Sequence, residues 1–269
     1  MGRSLFFGLA ILFFAVSLLG QQPQAQVQEP VSDPAILLRV PPPPPDATFQ
    51  ELEHRGDELR SQKAYLDAVD YYRAATQKND TAQLHNKIGI AYFLLHRDRD
   101  ARREYQSAIK LNKEYSEAYN NLGALYYNQR RYGPSIKEYK RALKINEENA
   151  SFHKNLGTAY FSEKDFQGAS REYQRAMALD PSIFDRQPSG GVSINLISSN
   201  DLGHFHYVMA EMYGQQGNVE RCRYYLSKAN EEGYPIRDAL RDSGFASLRK
   251  DPQFVSFLRS LKTPSVDPN

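Results

Sequence analysis

The chain has 269 residues, of which 34 are Lys or Arg and 32 are Asp or Glu. This balance of charge gives no indication of a nucleic-acid-binding surface, which would require an excess of basic residues. The single cysteine, Cys222, excludes an intramolecular disulfide framework, and we expect it to be a buried, unreactive thiol at a helix-packing position.

Residues 1–20 predict a signal peptide or an N-terminal anchor. Arg3 gives this segment a positive charge, and residues 5–19 are all apolar or small. As a helix this run would be about 22 Å long, which is shorter than the ~30 Å hydrocarbon core of a membrane. Cleavage would leave an exported protein, periplasmic or secreted, whereas retention would leave a protein anchored in the membrane by residues 5–20.

Residues 21–46 predict a linker rich in Gln and Pro. Five consecutive prolines occupy positions 41–45 near its end, and they favour a stiff polyproline II segment about 15 Å long. Such a segment serves either as a spacer or as a docking motif for an aromatic-lined groove.

Between residues 82 and 181 one pattern occurs three times with a period of 34 residues. Each copy begins with an aromatic residue or His, followed by Ile or Leu, then Gly, then Tyr, and it continues with a second set of a small residue, Tyr and Ala. The first positions are His85, Tyr119 and His153; the glycines are Gly89, Gly123 and Gly157; the later tyrosines are Tyr105, Tyr139 and Tyr173. Fixed self-similarity at this period is typical of stacked supersecondary units.

Divergent copies flank these three. We expect repeats 1–4 to occupy residues 47–181 and a degenerate fifth repeat to occupy residues 203–234. Gly157 and Ala210, at equivalent positions, are 53 residues apart instead of 34. This spacing predicts an insertion at residues 182–202, which is either a functional loop or a tolerated spacer.

The C-terminal part predicts a helix that covers the last repeat. Asp251 suits the N-cap and Pro252 the first helical position, and Phe254, Phe257 and Leu258 share one face. We expect residues 235–262 to form capping helices.

The repeated pattern resembles the tetratricopeptide repeat (TPR), and the Asp-Pro-x-Phe ending is similar to that of bacterial TPR proteins, which suggests the bacterial exported type. The resemblance implies an all-α fold. This fold is a TPR α-solenoid, a right-handed superhelix of helix-turn-helix repeats, with a C-terminal capping helix. In each repeat a helix A packs on a helix B where both carry small residues.

Three details of the repeats carry local expectations. The repeated Tyr should bury its ring and leave its hydroxyl at a wet edge. Basic residues should end the A helices, at Lys63, His96 (a cation when protonated), Arg130 and Lys164. Asn112 and Asn146, which follow B helices, suit a left-handed C-terminal cap.

The resemblance also implies that the A helices line a concave groove, in which asparagines hold a peptide backbone and an aromatic ladder holds side chains, as in the O-linked N-acetylglucosamine transferase family. An Asn side chain can pair with both polar groups of a peptide unit. The candidate peptide-binding residues are Asn86, Lys87, Phe93, Asn120, Asn121, Tyr127, Asn128, Lys154, Asn155, Thr158 and Phe161. Alternatively, the asparagines only keep this surface soluble and the rings pack on the neighbouring A helix.

A second binding mode, the carboxylate clamp of chaperone-binding TPR domains, is incomplete. Lys87, Asn121 and Lys154 are suitable residues, but Glu53 and Asp57 stand where the first repeat would need Lys and Asn.

No motif for catalysis is present: the sequence lacks a phosphate-binding loop, an HExxH, a CxxC and a nucleophile elbow. His204 and His206 would diverge on a helix, so we expect no metal, no cofactor and no catalytic residue. The sequence predicts a non-catalytic scaffold that binds an extended peptide or a partner protein in the concave groove, in the cell envelope. The alternatives are a self-assembling structural module or an accessory subunit of an envelope complex.

Overall fold

The computed structural model describes residues 40–184, 201–236 and 239–261. The predicted signal peptide or anchor, most of the linker and residues 185–200 of the predicted insertion lie outside these ranges. Within them the regular structure is entirely helical. No helix in the described ranges is both long enough and apolar enough to cross a membrane.

The described residues form eleven α-helices and two 3₁₀ segments. The helices are α1 (Phe49–Ser61), α2 (Tyr65–Lys78), α3 (Ala82–Leu94), α4 (Asp98–Leu111), α5 (Ser116–Asn128), α6 (Tyr132–Ile145), α7 (Ala150–Ser162), α8 (Phe166–Leu179), α9 (Leu202–Gln215), α10 (Val219–Glu231) and α11 (Pro252–Ser260). The 3₁₀ segments are Ala239–Arg241 and Ser243–Leu248.

Helices α1 to α10 form five consecutive pairs, in which each odd-numbered helix A packs on the helix B that follows it. The all-α array of repeated helix pairs predicted from the sequence is confirmed. Successive A helices also contact each other, α3 with α5 and α5 with α7, whereas successive B helices make fewer contacts. The A helices therefore lie on the inner side of the array and the B helices on its outer side.

One contact holds helix A to helix B in each of the first four pairs. A Cβ atom added to Gly89 would lie 2.5 Å from Cε1 of Tyr105, and one added to Gly123 would lie 2.8 Å from the ring of Tyr139. Gly56 meets Tyr72 and Gly157 meets Tyr173 in the same way, and all four rings are fully buried. The ring of helix B thus occupies the space where helix A has no side chain.

The fifth pair reaches the same close packing with other residues. Leu226 stands where the other B helices carry Tyr, and Ala210 stands where the other A helices carry Gly; both are fully buried. Cys222 is also buried in this pair, and burial raises the pKa of its thiol to about 12, as expected of an unreactive cysteine.

We predict different effects of the same substitution at two glycines. Gly89→Ala should lower the free energy of unfolding by about 1–3 kcal/mol, because the new methyl group overlaps the buried ring of Tyr105. Gly133→Ala, in the first turn of α6, should change it by less than about 0.5 kcal/mol, because no atom outside the adjacent residues lies within 4 Å of the new Cβ and the gain in helix propensity is offset by its contact with Pro134. Urea unfolding followed by circular dichroism measures both; equal effects would contradict the proposed contact.

The hydroxyl groups of these four tyrosines were expected at a solvent-exposed edge of the repeat, but none of them is solvent-exposed. Tyr72 donates to Asp57 Oδ1 at 2.8 Å, and Tyr173 donates to Thr158 Oγ1 at 3.2 Å. The Tyr105 hydroxyl is buried without a hydrogen-bond partner among the described residues, and burial raises its pKa. Ring packing therefore decides the position of Tyr105, at the expense of its polar atom.

Removal of single hydroxyl groups should separate these two situations. Tyr105→Phe should raise the free energy of unfolding by about 1 kcal/mol, because it removes an unpaired buried polar group. Tyr72→Phe should lower it by about 1–2 kcal/mol, because it removes a hydrogen bond to a carboxylate. Thermal unfolding of the two variants provides the test, and a loss of stability in Tyr105→Phe would show that its hydroxyl is satisfied.

The turn between helix A and helix B places one residue in the left-handed region. Lys63, His96, Arg130 and Lys164 have φ between 56° and 68°, and Gly217 has φ 72° at the same place in the fifth pair. These cations therefore lie two residues beyond the helix, in the turn. The left-handed cap expected at Asn112 and Asn146 is wrong, because both are extended, with φ −141° and −134°.

Both ends of the array are covered. At the N-terminal end, residues 40–45 lie along α2: Tyr71 donates its hydroxyl to the carbonyl of Pro41 at 3.2 Å, and Lys78 donates to that of Pro45 at 3.0 Å. At the C-terminal end, Asp251 caps α11 by accepting from the backbone N–H of Gln253 at 2.8 Å. Phe254 of α11 is fully buried, so the predicted capping helix is present.

Candidate functional site

The asparagines predicted to line the groove bond to one another across neighbouring A helices. Asn121 donates to Asn86 Oδ1 at 2.9 Å, and Asn155 donates to Asn120 Oδ1 at 2.9 Å. Asn120 donates to Asn121 at 3.3 Å and so joins the two pairs. The result is one chain of amides that runs from α3 through α5 to α7.

This amide chain follows a positional rule. In each case the sixth residue of one A helix donates to the fifth residue of the preceding A helix. The first two repeats obey the same rule with charges, because Lys87 donates to Glu53 at 2.8 Å. Lys87 also donates to Asp57 at 2.7 Å. Residues that the sequence suggested for holding a ligand thus connect successive repeats.

Burial limits what the amides can offer to a ligand. Asn86, Asn120 and Asn121 are only 5–8% exposed, so they do not act as solubilising surface groups either. Asn155 is half-buried, while Asn128 at the end of α5 is exposed. Peptide binding by the amides stays a prediction, and Asn128 and Asn155 are the members that a peptide could reach.

The predicted aromatic ladder is mostly buried. Tyr127 and Phe161 belong to the core; the Tyr127 hydroxyl lies 2.8 Å from Ser162 Oγ, and Phe161 packs edge-on against Phe166 with ring centroids 5.2 Å apart. Only Phe93 of the three is partly exposed.

Lys154 and Thr158 also have internal partners. Lys154 donates to the carbonyl of Ile183 at 3.2 Å and lies over the ring of Phe184, and burial lowers its pKa. Thr158 is buried and donates to the carbonyl of Lys154 at 2.9 Å. The first residues of the predicted insertion therefore lie against α7 and contact Lys154.

The titratable groups form bridges. His85 Nδ1 lies 2.6 Å from Glu104 Oε2, and its Nε2 lies 2.9 Å from Asp80 Oδ1. His153 repeats this arrangement with Glu172 at 2.7 Å and the carbonyl of Glu147 at 2.9 Å. The sequence pattern marks these histidines only as the first positions of their repeats, although each His–Glu pair has the same separation of 19 residues along the chain.

The remaining histidines do not approach each other as ligands. His204 stacks on Tyr234 with centroids 4.9 Å apart, while His206 packs beside Tyr225 at 6.0 Å. In the part of the chain that the structure describes, no three His, Cys, Asp or Glu side chains are grouped so that they could hold a metal ion.

Three family models match the middle of the chain. They are described as TPR repeat, at residues 98–129, and as tetratricopeptide repeat, at residues 116–149 and 150–183. These ranges coincide with the helix pairs α4–α5, α5–α6 and α7–α8. Residues 98–183 are tetratricopeptide repeats.

Several solved structures resemble this chain at low identity. PilF of Pseudomonas aeruginosa is 16% identical over 79% of this chain and 90% of its own chain, with a TM-score of 0.51. MamA of Desulfovibrio magneticus RS-1 is 14% identical over 68% and 94%, with a TM-score of 0.48. YrrB, described as a TPR protein with an unusual peptide-binding site, is 16% identical over 67% and 84%, with a TM-score of 0.45. Comparison with curated proteins gives no significant match.

We predict that the buried amides support the TPR array itself. Asn121→Ala should lower the free energy of unfolding by about 1–3 kcal/mol, because it leaves the buried oxygen of Asn86 without its donor. Asn128→Ala, at an exposed amide of the same helix, should change it by no more than about 0.5 kcal/mol. Chemical denaturation of both variants is the measurement. Equal, small effects would mean that the amide chain contributes little.

The His85 bridge should make stability depend on pH. The hydrogen bond to Glu104 raises the pKa of His85 above its ordinary value of 6.5. The bridge is therefore fully stabilising below pH about 6.5, and this contribution disappears as the pH rises through the raised pKa.

His85→Gln should accordingly cost more stability at pH about 6 than at pH about 9. Thermal unfolding at both pH values tests this, and the difference between the variant and the parent chain removes the effect of other titrating groups. A cost that does not change with pH would contradict a charged bridge.

Proposed function

We propose that this TPR protein is a non-catalytic scaffold that binds a partner protein or an extended peptide on the inner surface formed by its A helices. The observation that carries the proposal is an apolar patch on that surface. Leu94 is 39% exposed and Phe93 beside it is partly exposed, while Asn128 occupies the place of Leu94 one repeat further on.

Phe93, Leu94 and Asn128 together suit an extended peptide segment better than the chain of amides from α3 to α7 does, because most of those amides are buried. Phe93 and Leu94 offer contact area to an apolar side chain of the partner, and Asn128 offers a donor and an acceptor to its backbone. The buried amides and the Lys87 ion pairs hold successive A helices in fixed positions. A surface fixed in advance loses less conformational entropy when it binds.

We further propose that the scaffold acts in the cell envelope. The support is the N-terminal sequence, in which Arg3 precedes the apolar run of residues 5–19. Mass spectrometry of the protein from fractionated cells tests this part. A start after residue 20 in an envelope or secreted fraction would support cleavage, and an intact apolar segment in the membrane fraction would support an anchor. An intact chain in the cytosol would contradict both.

Two leucines provide a matched test of the binding surface. Peptides are first selected against the full-length chain from a displayed library, and their affinities are measured by calorimetry. Leu94→Lys on α3 should weaken the selected peptides by about tenfold or more, because a charge replaces an apolar contact. Leu111→Lys, at a 48% exposed leucine of the outer helix α4, should change the affinity by less than about twofold.

Equal affinities of the two variants would contradict binding on the inner surface. Size-exclusion chromatography with light scattering accompanies the measurement. A dimer that Leu94→Lys dissociates would support the alternative, a self-assembling module.

A further inference from the structure

A cleft of about 550 Å³ opens on the outer side of the array, between the B helices α4 and α6. Its floor is formed by Tyr119, Leu122 and Tyr126 of α5, and Ile109 of α4 forms part of one wall. Lys113 and Lys144 stand at its rim. The volume lies in the range of sites that hold a ligand or a large side chain.

The cleft lies where the central repeat lacks a bridge that both neighbouring repeats have. In the repeats on either side, His85 and His153 connect the A helix to a glutamate of the following B helix. Tyr119 occupies this position in the central repeat, and the corresponding glutamate, Glu138, bonds instead to Arg141 of its own helix, with both oxygens 3.0 Å from Nη1.

A second difference lies at the same opening. In the neighbouring repeats a cation of the preceding B helix lies over a tyrosine of the A helix: Arg73 is 5.8 Å from the ring centre of Tyr92, and Lys140 is 5.4 Å from that of Tyr160. The equivalent residue in the central repeat is Gln106, which lines the cleft. Neither of these two contacts of the neighbouring repeats is therefore made here, and the cation over the central tyrosine, Tyr126, is Arg131 of the following turn, 4.8 Å from the ring centre.

The charge around the cleft is positive by a small margin. Its lining carries Lys113, Arg141 and Lys144 against Glu114 and Glu138. Glu138 bonds to Arg141 of its own helix, which leaves the two lysines at the rim against Glu114. The flanking helices α4 and α6 are also basic as a whole, since together they carry eight Lys or Arg and four Asp or Glu residues.

We infer that this outer cleft binds a segment of a partner protein in which one large apolar side chain is flanked by carboxylates. The apolar side chain enters between Ile109, Leu122 and the two floor tyrosines, and the carboxylates meet Lys113 and Lys144. This site is separate from the inner surface, so the scaffold has two faces for two partners.

A fluorescein-labelled peptide, Glu-Asp-Phe-Glu-Asp, serves as the probe for the full-length chain, with binding followed by fluorescence anisotropy. Glu-Asp-Ala-Glu-Asp lacks the apolar side chain, and Lys-Arg-Phe-Lys-Arg reverses the charge. The site requires both features, so each control peptide should bind at least about tenfold more weakly than the probe.

Tyr119→His is the decisive variant, because it would place at Glu138 the bridge that the neighbouring repeats make and would remove one tyrosine from the floor of the cleft. It should weaken the probe by about tenfold or more, as should the rim variant Lys113→Glu/Lys144→Glu. Arg171→Glu/Arg175→Glu, at two exposed arginines of α8, makes the same change of charge outside the cleft and should alter the affinity by less than about twofold. Thermal unfolding verifies that each variant is folded.

Several results would overturn the inference. One is a probe that does not bind below about 1 mM; another is equal binding of the alanine peptide, which would indicate nonspecific attraction. Unchanged affinity in a folded Tyr119→His variant would exclude the cleft, and loss of the probe in Leu94→Lys would place it on the inner surface. The proposed binding of a partner on the inner surface formed by the A helices does not depend on any of these results.

Discussion

The contact between a glycine of helix A and a tyrosine ring of helix B is the constraint on which the array depends. A glycine within a helix costs about 1 kcal/mol relative to alanine, yet the chain accepts this cost at Gly56, Gly89, Gly123 and Gly157. In return, the two helices of a pair approach closely enough for the ring to be fully buried. In the fifth pair the larger Ala210 stands in place of the glycine, and the smaller Leu226 stands in place of the tyrosine.

Around this repeated contact, the polar residues connect one repeat to the next. The donors at the sixth position of α3, α5 and α7 each reach the fifth position of the preceding A helix, while the His–Glu bridges join helix A to helix B within a repeat. Buried amides and charges are costly without partners, so these pairs also favour one arrangement of neighbouring repeats. An inner surface built in this way is held in place before any partner arrives.

The fold could be predicted from the sequence because it rests on residue size at a fixed period. Small residues recur at Gly89, Gly123 and Gly157, and no other property is needed to place the helices in pairs. The start of the last helix is also predictable from the sequence, because the Asp251 side chain caps the helix that Pro252 begins. The conformation of the turns between helix A and helix B is not predictable in this way, because Lys63 and Arg130 adopt a conformation that is usual for glycine.

The candidate site was less predictable, since it depends on distances between residues about 35 positions apart. The helical pattern places Asn86 and Asn121 on the inner side, but only the rotation between α3 and α5 brings their amides within 2.9 Å. Burial of Tyr127 and Phe161 likewise depends on how far neighbouring helices cover them. The sequence shows that Tyr119 replaces the histidine found at His85 and His153. Only the structure shows that this replacement leaves Glu138 without a bridge to the A helix.

The pairing of fifth and sixth positions also bears on how such an array can grow. The helix α5 carries Asn at both positions, so a duplicated copy of its repeat could stand next to the original with every amide matched. Lys87, by contrast, is suited to the acidic residue that only the first repeat supplies, and the fifth residue of α7 is Lys154, itself a donor. The fifth and sixth residues of the A helices therefore favour one order of the repeats. Duplication of the central repeat is the change that would lengthen the array and still give each amide its hydrogen-bond partner.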